Sequence, residues 1–598
     1  MLAALLLGFV ATVLPQGGEA DAPVGLTVVM VDVGQGDGLV VKAPNGTVHV
    51  IDAGPGGEGT LSMLPAISAL LPSSYGFTFL SHFHEDHSGG LDEVLSALPF
   101  TTAYDRGDVN RATSSATTSY LNAAGARRTL ITVGAVYQLG GGATMTCIAA
   151  NGFVAGGAFV EPTGTSQEEN SRSIALRLDY GMFSMWFGGD LTGTSATADV
   201  ESPASLACGD VDVYKCNHHG STTSTNLNLV ARLQPELAIV SCGFQNTYGH
   251  PNAAVVNRLN QAAAARLLLS TTAGDISPSP VIGFGVTGNC RIDTDGRRYR
   301  ATAQNGSFLD FYCDEVVLPT LAAGSVKISE IHRNPSFVPD TNGEYVEVQN
   351  IGSRPVSLRG LRLADNGGTV TIASNFALLP GRPMLFQVDG APSRNGDLPL
   401  GMALPFSSIS LADTTDSVTL SQNAVTVDSV AYTTGFPGGS GVAAERRDLY
   451  GSTAAGNFAA ATVAFGDGDL GSPGRRNDGD TTLYPVQVDE TFADGVMTLH
   501  ATALGHGGVI SILGLAQGDA PGFPFLNAQI PLNFDGLFQG AIGSSGAIAF
   551  LPAQGYRSWS IPVGPPYPAY PLFTAHVLLD LSFTSVPGVS PSLSFVLP

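Results

Sequence analysis

Residues 80–90 read LSHFHEDHSGG and place His82, His84, Asp86 and His87 within six positions, although the whole chain of 598 residues has only 11 histidines. Imidazoles and carboxylates are ligands suited to Zn²⁺, Mn²⁺ or Fe. His82 and His84 alternate along an extended segment, so both rings point to one side. Asp86 and His87 follow on the turn into a helix and can serve a neighbouring position. Two metals roughly 3.5–4 Å apart need a bridging group and an open position, so another aspartate and further histidines must lie downstream. FSMWFGGD ends an apolar strand on Asp190, NHHGS supplies His218 and His219, and TYGHP supplies His250. Any one of these residues alone reads as an ordinary core or surface group. Together, at the spacing HxHxDH, they read as a metal site. Lys215 and Ser221, flanking the histidine pair, are candidate phosphate contacts, with a solvent-facing lysine as the alternative. Asp37 in GQGDG either serves a loop near the site or is a plain turn aspartate.

The elements that must position these groups are short. LTVVMVDVGQGDGLVVKA and GTVHVIDAG are apolar runs punctuated by glycine, hence strands and turns. GFTFLSHFHEDHSGGLDEVLSAL reads as strand, loop and helix, with Leu91, Val94, Leu95 and Leu98 on one face. SIALRLDYGMFSMWFGGD reads as a hairpin, DVYKCNHHGS and PELAIVSCG as strands, and NAAVVNRLNQAAAARLLL as a helix. Alternating strands and helices up to about residue 300 predict an α/β domain of layered sheets. From residue 326 to 478 the chain is strands and turns, and the rest, poor in charge, predicts a further all-β domain. The expected division is a signal peptide at 1–20, then domains at 25–318, 322–479 and 480–598.

Composition bounds the rest. A net charge of −23 gives no general attraction for nucleic acid or anionic membranes. The cluster Arg297, Arg298 and Arg300 is a small local exception. The apolar run Met1–Leu14, followed by Gly18 and Ala20, reads as a signal peptide without a basic start. No later run reaches the ~18 apolar residues of a membrane helix, so the expected location is secreted or extracytoplasmic (periplasm or cell surface). Six cysteines allow up to three disulfides, and no CxxC spacing suggests cysteine-bound zinc.

VDVGQGDG, IDAG, SHFHEDHSGGL, GGD, KCNHHGSTTS and YGHP together resemble the metallo-β-lactamase fold, in the branch of DNA-uptake competence proteins of the ComEC type. The resemblance implies an αββα sandwich, a dinuclear site and hydrolysis, commonly of phosphodiesters. It puts His82 and His84 on one of two divalent metal ions (zinc first, manganese or iron as alternatives). Asp86 and His87 fall on the other, with Asp190 bridging and His250 completing the second. His218 and His219 would sit beside the metals, one protonating the leaving oxygen with Asp86 close to the chemistry; either could instead be a ligand. Asp52 corresponds to a structural aspartate. No histidine occurs between His87 and Asp190, where this branch shows Asn-x-x-Ser, here Asn170 and Ser173. VKISEIHRNP through GEYVEVQN to GDLGSPGRRND resembles a lamin-tail domain and implies an immunoglobulin-like β-sandwich. In it Val346 and Val348 would face the core, and Glu347 and Gln349 the solvent.

The leading expectation is an exported metal-dependent phosphodiesterase or nuclease for extracellular DNA, using metal-activated water. The alternatives are hydrolysis of a smaller ester of the phosphocholine type, or a non-catalytic surface or matrix-binding protein. The β domains would bind a surface polymer or protein.

Overall fold

Val28 and Met30 point one way from the strand Leu26–Met30, and Val29 points the other; all three are buried. A strand apolar on both faces needs a cover on each side. The computed structural model describes residues 22–596 except 261–263, 276–281, 494–495, 506–508, 518, 521, 534–546, 552–555, 564–570 and 581–584. The apolar leader, with Gly18 and Ala20, lies outside the described residues.

Two nine-stranded sheets face each other across a core that includes Met30, Leu39, Ile51 and Phe79 from one and Met145, Leu178, Phe187 and Ile239 from the other. The outer face of the first carries Val40, Val50, Met63, Leu91 and Val94; that of the second carries Trp186, Tyr214, Leu229 and Val240. Helices cover both, which gives the αββα sandwich. In each sheet several strands run parallel: Thr47–Ala53, Ser74–Phe79 and Thr102–Asp105 in one, Phe183–Phe187, Val213–Lys215 and Leu237–Val240 in the other. Asp52, His82, Asp190 and His218 lie at or just beyond the carboxyl ends of such strands, and His250 on the longer loop that follows Leu237–Val240. Parallel pairing therefore collects the candidate ligands at one edge.

Helix Leu91–Ala97 forms as expected, with Leu91, Val94 and Leu95 buried and Leu98 at its C-cap. The predicted helix NAAVVNRLNQAAAARLLL is shorter: Ala253–Leu259 is helical, but Leu267–Ser270 is a strand inside the second sheet. A run of leucines suits a strand buried on both faces as well as a helix.

Residues 326–460 form a sandwich of a six-stranded and a five-stranded sheet. The five-stranded sheet takes in Ala264–Ala265, which pairs with Thr369–Ile372. The Phe311 and Phe376 rings meet 5.0 Å apart, tilted by 34°, within one continuous core, and Arg359 ion-pairs with Glu236 and Asp314 across the same boundary. Glu347 and Gln349 are buried, against expectation. The segment following the sandwich folds back over their face, with Gly474 N–H donating to Glu347 Oε2 at 2.8 Å. Arg300 likewise leaves the expected basic cluster: it is buried against Asp310 at 2.9 Å and lies over the Phe308 ring. Strands from Gln487 to Phe595 build a separate apolar core around Leu499, Leu513, Trp559 and Leu579. Among the described residues no cysteine is paired, and no helix is long and apolar enough to cross a membrane.

Candidate metal centre

His82 leaves the strand Ser74–Phe79 through Leu80 and Ser81, and His84 is the N-cap of the short helix Glu85–Ser88 that carries Asp86 and His87. Asp52 sits beneath them with a left-handed φ of 53°. Its Oδ1 accepts Ser81 N–H at 2.7 Å, and its Oδ2 accepts Ser81 Oγ at 2.6 Å and lies 2.8 Å from His87 Nδ1. That bond orients His87 Nε2 away from Asp52 and towards Asp190, Oδ1 of which is 3.2 Å off. Glycine is required at two tight points: a Cβ on Gly36 would lie 2.2 Å from the Asp86 carbonyl oxygen, and one on Gly189 2.6 Å from Ser81 Cβ.

The pair His218–His219 follows the strand Val213–Lys215. Both residues adopt left-handed backbone, φ 50° and 51°, which costs of order 1–3 kcal/mol each and persists only where the surroundings impose it. Asn217 supplies part of that constraint: its Oδ1 accepts Trp186 Nε1–H at 3.0 Å and its Nδ2 donates to Glu201 Oε1 at 2.7 Å. Glu201, fully buried, also accepts the backbone N–H groups of Thr225 and Asn226. Burial, only partly offset by these donors, pushes its carboxyl up to about 7. Neither Glu201 nor Trp186 was legible as a site residue, since both lie far from the histidines in sequence.

The turn delivers the two rings to different places. His219 Nε2 lies 3.2 Å from Asp86 Oδ2 and 3.5 Å from Asp190 Oδ1, so Asp86, His87, Asp190 and His219 converge as one set of ligand atoms. His82, His84 and Asp190 form a second set, with His82 Nε2 3.8 Å from Asp190 Oδ2 and 3.0 Å from His84 Nδ1. His218 Nε2 stands 3.6 Å from the same Oδ2 and 3.2 Å from Asn170 Nδ2, and its Nδ1 is 2.8 Å from Thr223 Oγ1. Asp190 thus turns one oxygen to each set.

His250 joins neither set. Its ring is 6.1 Å from that of His219 and its Nδ1 is 3.4 Å from Gln35 Nε2. The structure brings His219 to the position expected of His250. Lys215 is not a surface phosphate contact: it is 1% exposed and ion-pairs with Asp37, which also lies 3.4 Å from His219 Nδ1. Ser221 is buried and bonded to Thr223 Oγ1 at 2.9 Å. Asn170 holds His218, and Ser173 Oγ accepts the Asp190 N–H at 3.2 Å.

The donor set fits divalent cations. His87 Nε2, His219 Nε2 and Asp190 Oδ1 are buried with no hydrogen-bond partner, yet they face one another. Buried polar atoms are rarely left unpaired, and three orphans on one point suit a cation. Burial opposes charge on His87, but Asp190, Asp86 and Asp52 outweigh it and hold its pKa well above the ordinary value. Burial also opposes charge on His219, which Asp190 and Asp37 hold at about 10.

A family model described as the metallo-β-lactamase superfamily matches residues 31–243. "Recombination protein 2" of Haemophilus influenzae is 28% identical over 39% of this chain and 26% of its own length. "Competence protein ComA" of Neisseria gonorrhoeae is 32% identical over 19% of this chain and 16% of its own. "ComE operon protein 3" of Bacillus subtilis is 32% identical over 18% and 13%. The chain spans about a quarter or less of the length of these relatives.

Proposed function

Because residues 31–243 form a metallo-β-lactamase superfamily domain with relatives among competence proteins, we propose that the protein is a metal-dependent phosphodiesterase acting on DNA outside the cytoplasm. The observation that carries this reading is Asp190, whose two oxygens face two separate sets of histidines. Asp86, His87, Asp190 and His219 would hold one cation, and His82, His84 and Asp190 the other. Bound divalent cations would supply Lewis acidity and an activated water.

The chain's own groups supply the remainder. Asp52 orients the ring of His87, and the Ser241 carbonyl, 3.1 Å from Nδ1, orients that of His219, with Asp37 Oδ1 3.4 Å away. His218 is partly open to solvent, with Nδ1 2.8 Å from Thr223 Oγ1 and Nε2 3.2 Å from Asn170 Nδ2, so its ring is held beside Asp190 where a leaving oxygen would emerge. It would serve as proton donor once substrate displaces the Asn170 amide from Nε2. His250, on the rim and joined to Gln35, would border the substrate.

The test is a substrate panel with protein loaded with Zn²⁺, Mn²⁺ or Mg²⁺: single- and double-stranded DNA, RNA, bis(p-nitrophenyl) phosphate and a phosphocholine ester. Cleavage of DNA and of the nitrophenyl diester is expected. Cleavage of the phosphocholine ester alone would replace DNA with a small substrate, and failure on every substrate would remove the hydrolase reading.

A further inference from the structure

His250 carries a second aromatic ring on its outer side. Tyr248 stacks on it with ring centroids 5.7 Å apart and planes at 25°, and the tyrosine is still 68% exposed. With one face against His250, that exposure leaves the other face open. Phe244, on the same loop, is 59% exposed.

The loop that carries these rings is braced. Asn246 Nδ2 donates to the carbonyls of Gly243 at 2.9 Å and His250 at 2.6 Å, and its Oδ1 accepts the His250 N–H at 2.9 Å. Gln245 N–H donates to the Gly274 carbonyl at 2.7 Å, and Gly243 N–H to Gln35 Oε1 at 3.1 Å. A loop tied at both ends and in the middle holds the two rings out in water, where large apolar groups are ordinarily disfavoured.

We propose that Tyr248, on the same exposed loop as Phe244, is a stacking platform for an unpaired nucleobase next to the scissile phosphodiester. The inference rests on the phosphodiesterase reading and adds to it a preference for single strands. Position supports it: the His250 ring is 5.6 Å from that of His218, so the platform lies one ring beyond the metal centre. Stacking needs only a flat π-face, and such a platform tolerates any base. A base paired within a duplex has both faces covered by its neighbours and cannot use it. The acidic chain has little general attraction for phosphates, so stacking would supply affinity that charge does not.

The experiment compares a single-stranded DNA oligonucleotide with one carrying an abasic position at the nucleotide flanking the cleavage point. Binding is read by fluorescence anisotropy in EDTA, and cleavage separately with metal. The wild type is expected to bind the base-bearing strand about tenfold more tightly than the abasic one. Tyr248→Ala should remove that preference, and Tyr248→Trp should keep it. Phe244→Ala, at an exposed ring of the same loop that makes no stack on His250, should reduce it by a smaller factor. An equal preference in the wild type and Tyr248→Ala would overturn the platform. A strand that binds with the preference but is never cut would count against the phosphodiesterase reading and leave the platform standing.

Discussion

Asp52 and His87 are joined by a 2.8 Å hydrogen bond, and the same carboxylate bonds the backbone and hydroxyl of Ser81. The aspartate therefore locks a histidine ring to the strand that delivers His82. Carboxylate partners of metal-binding histidines typically contribute 10–100-fold to affinity. Asp52→Asn should weaken metal binding by about that factor without unfolding the domain. Competition with a chromogenic chelator measures the first, and circular dichroism the second.

His219, and not His250, converges with Asp86, His87 and Asp190. His219→Ala should lose one metal ion per chain by elemental analysis, while His250→Ala keeps both and loses turnover. The reverse pattern would return the fourth ligand to His250.

Metal loading should release protons. Burial works against charge on His87 and His219, but their carboxylate neighbours hold the first well above the ordinary histidine value and the second at about 10. A ligating imidazole must be neutral, so a metal ion competes with the proton that these carboxylates favour on each ring. Calorimetry in buffers of different ionisation heat should report net proton release as the site fills.

Lys215 neutralises Asp37 in the interior. Removing one partner of a buried pair leaves an uncompensated charge and costs about 3–5 kcal/mol. Lys215→Met should lower the unfolding temperature accordingly. A lysine that met substrate phosphate would instead raise KM and leave stability unchanged.

Stability of the β-sandwich should fall as pH rises. Burial pushes the Glu330 carboxyl up to about 7 and that of Glu344 up to about 9, from an ordinary 4.5. Between 4.5 and those values the folded state holds protons that the unfolded chain has released, so stability declines across that window. Thermal unfolding followed from pH 5 to 9 should show the decline, and Glu344→Gln should flatten its upper part.

Much of the site was legible before the fold. His82, His84, Asp86 and His87 lie within one turn-and-helix unit, so their spacing alone constrains their geometry. The strand-end positions of Asp190 and the HHGS pair were equally readable, because an apolar run ending in glycines marks a strand tip. The choice between His219 and His250 was not. It depends on two left-handed residues that swing His219 inward, held by Asn217 and by Glu201, which sits 16 residues away in sequence.

Sequence by itself determined the ligand types, their order and the two-faced apolar strands, because these are properties of neighbours along the chain. Only the tertiary structure decided which faces are covered. Alternation correctly divided Val346 and Val348 from Glu347 and Gln349, but it carries no information on whether the residues around Gly474 return over the polar face. Lys215 was misread for the same reason: its partner Asp37 is 178 residues away, and burial is a property of what packs on a strand, not of the strand itself.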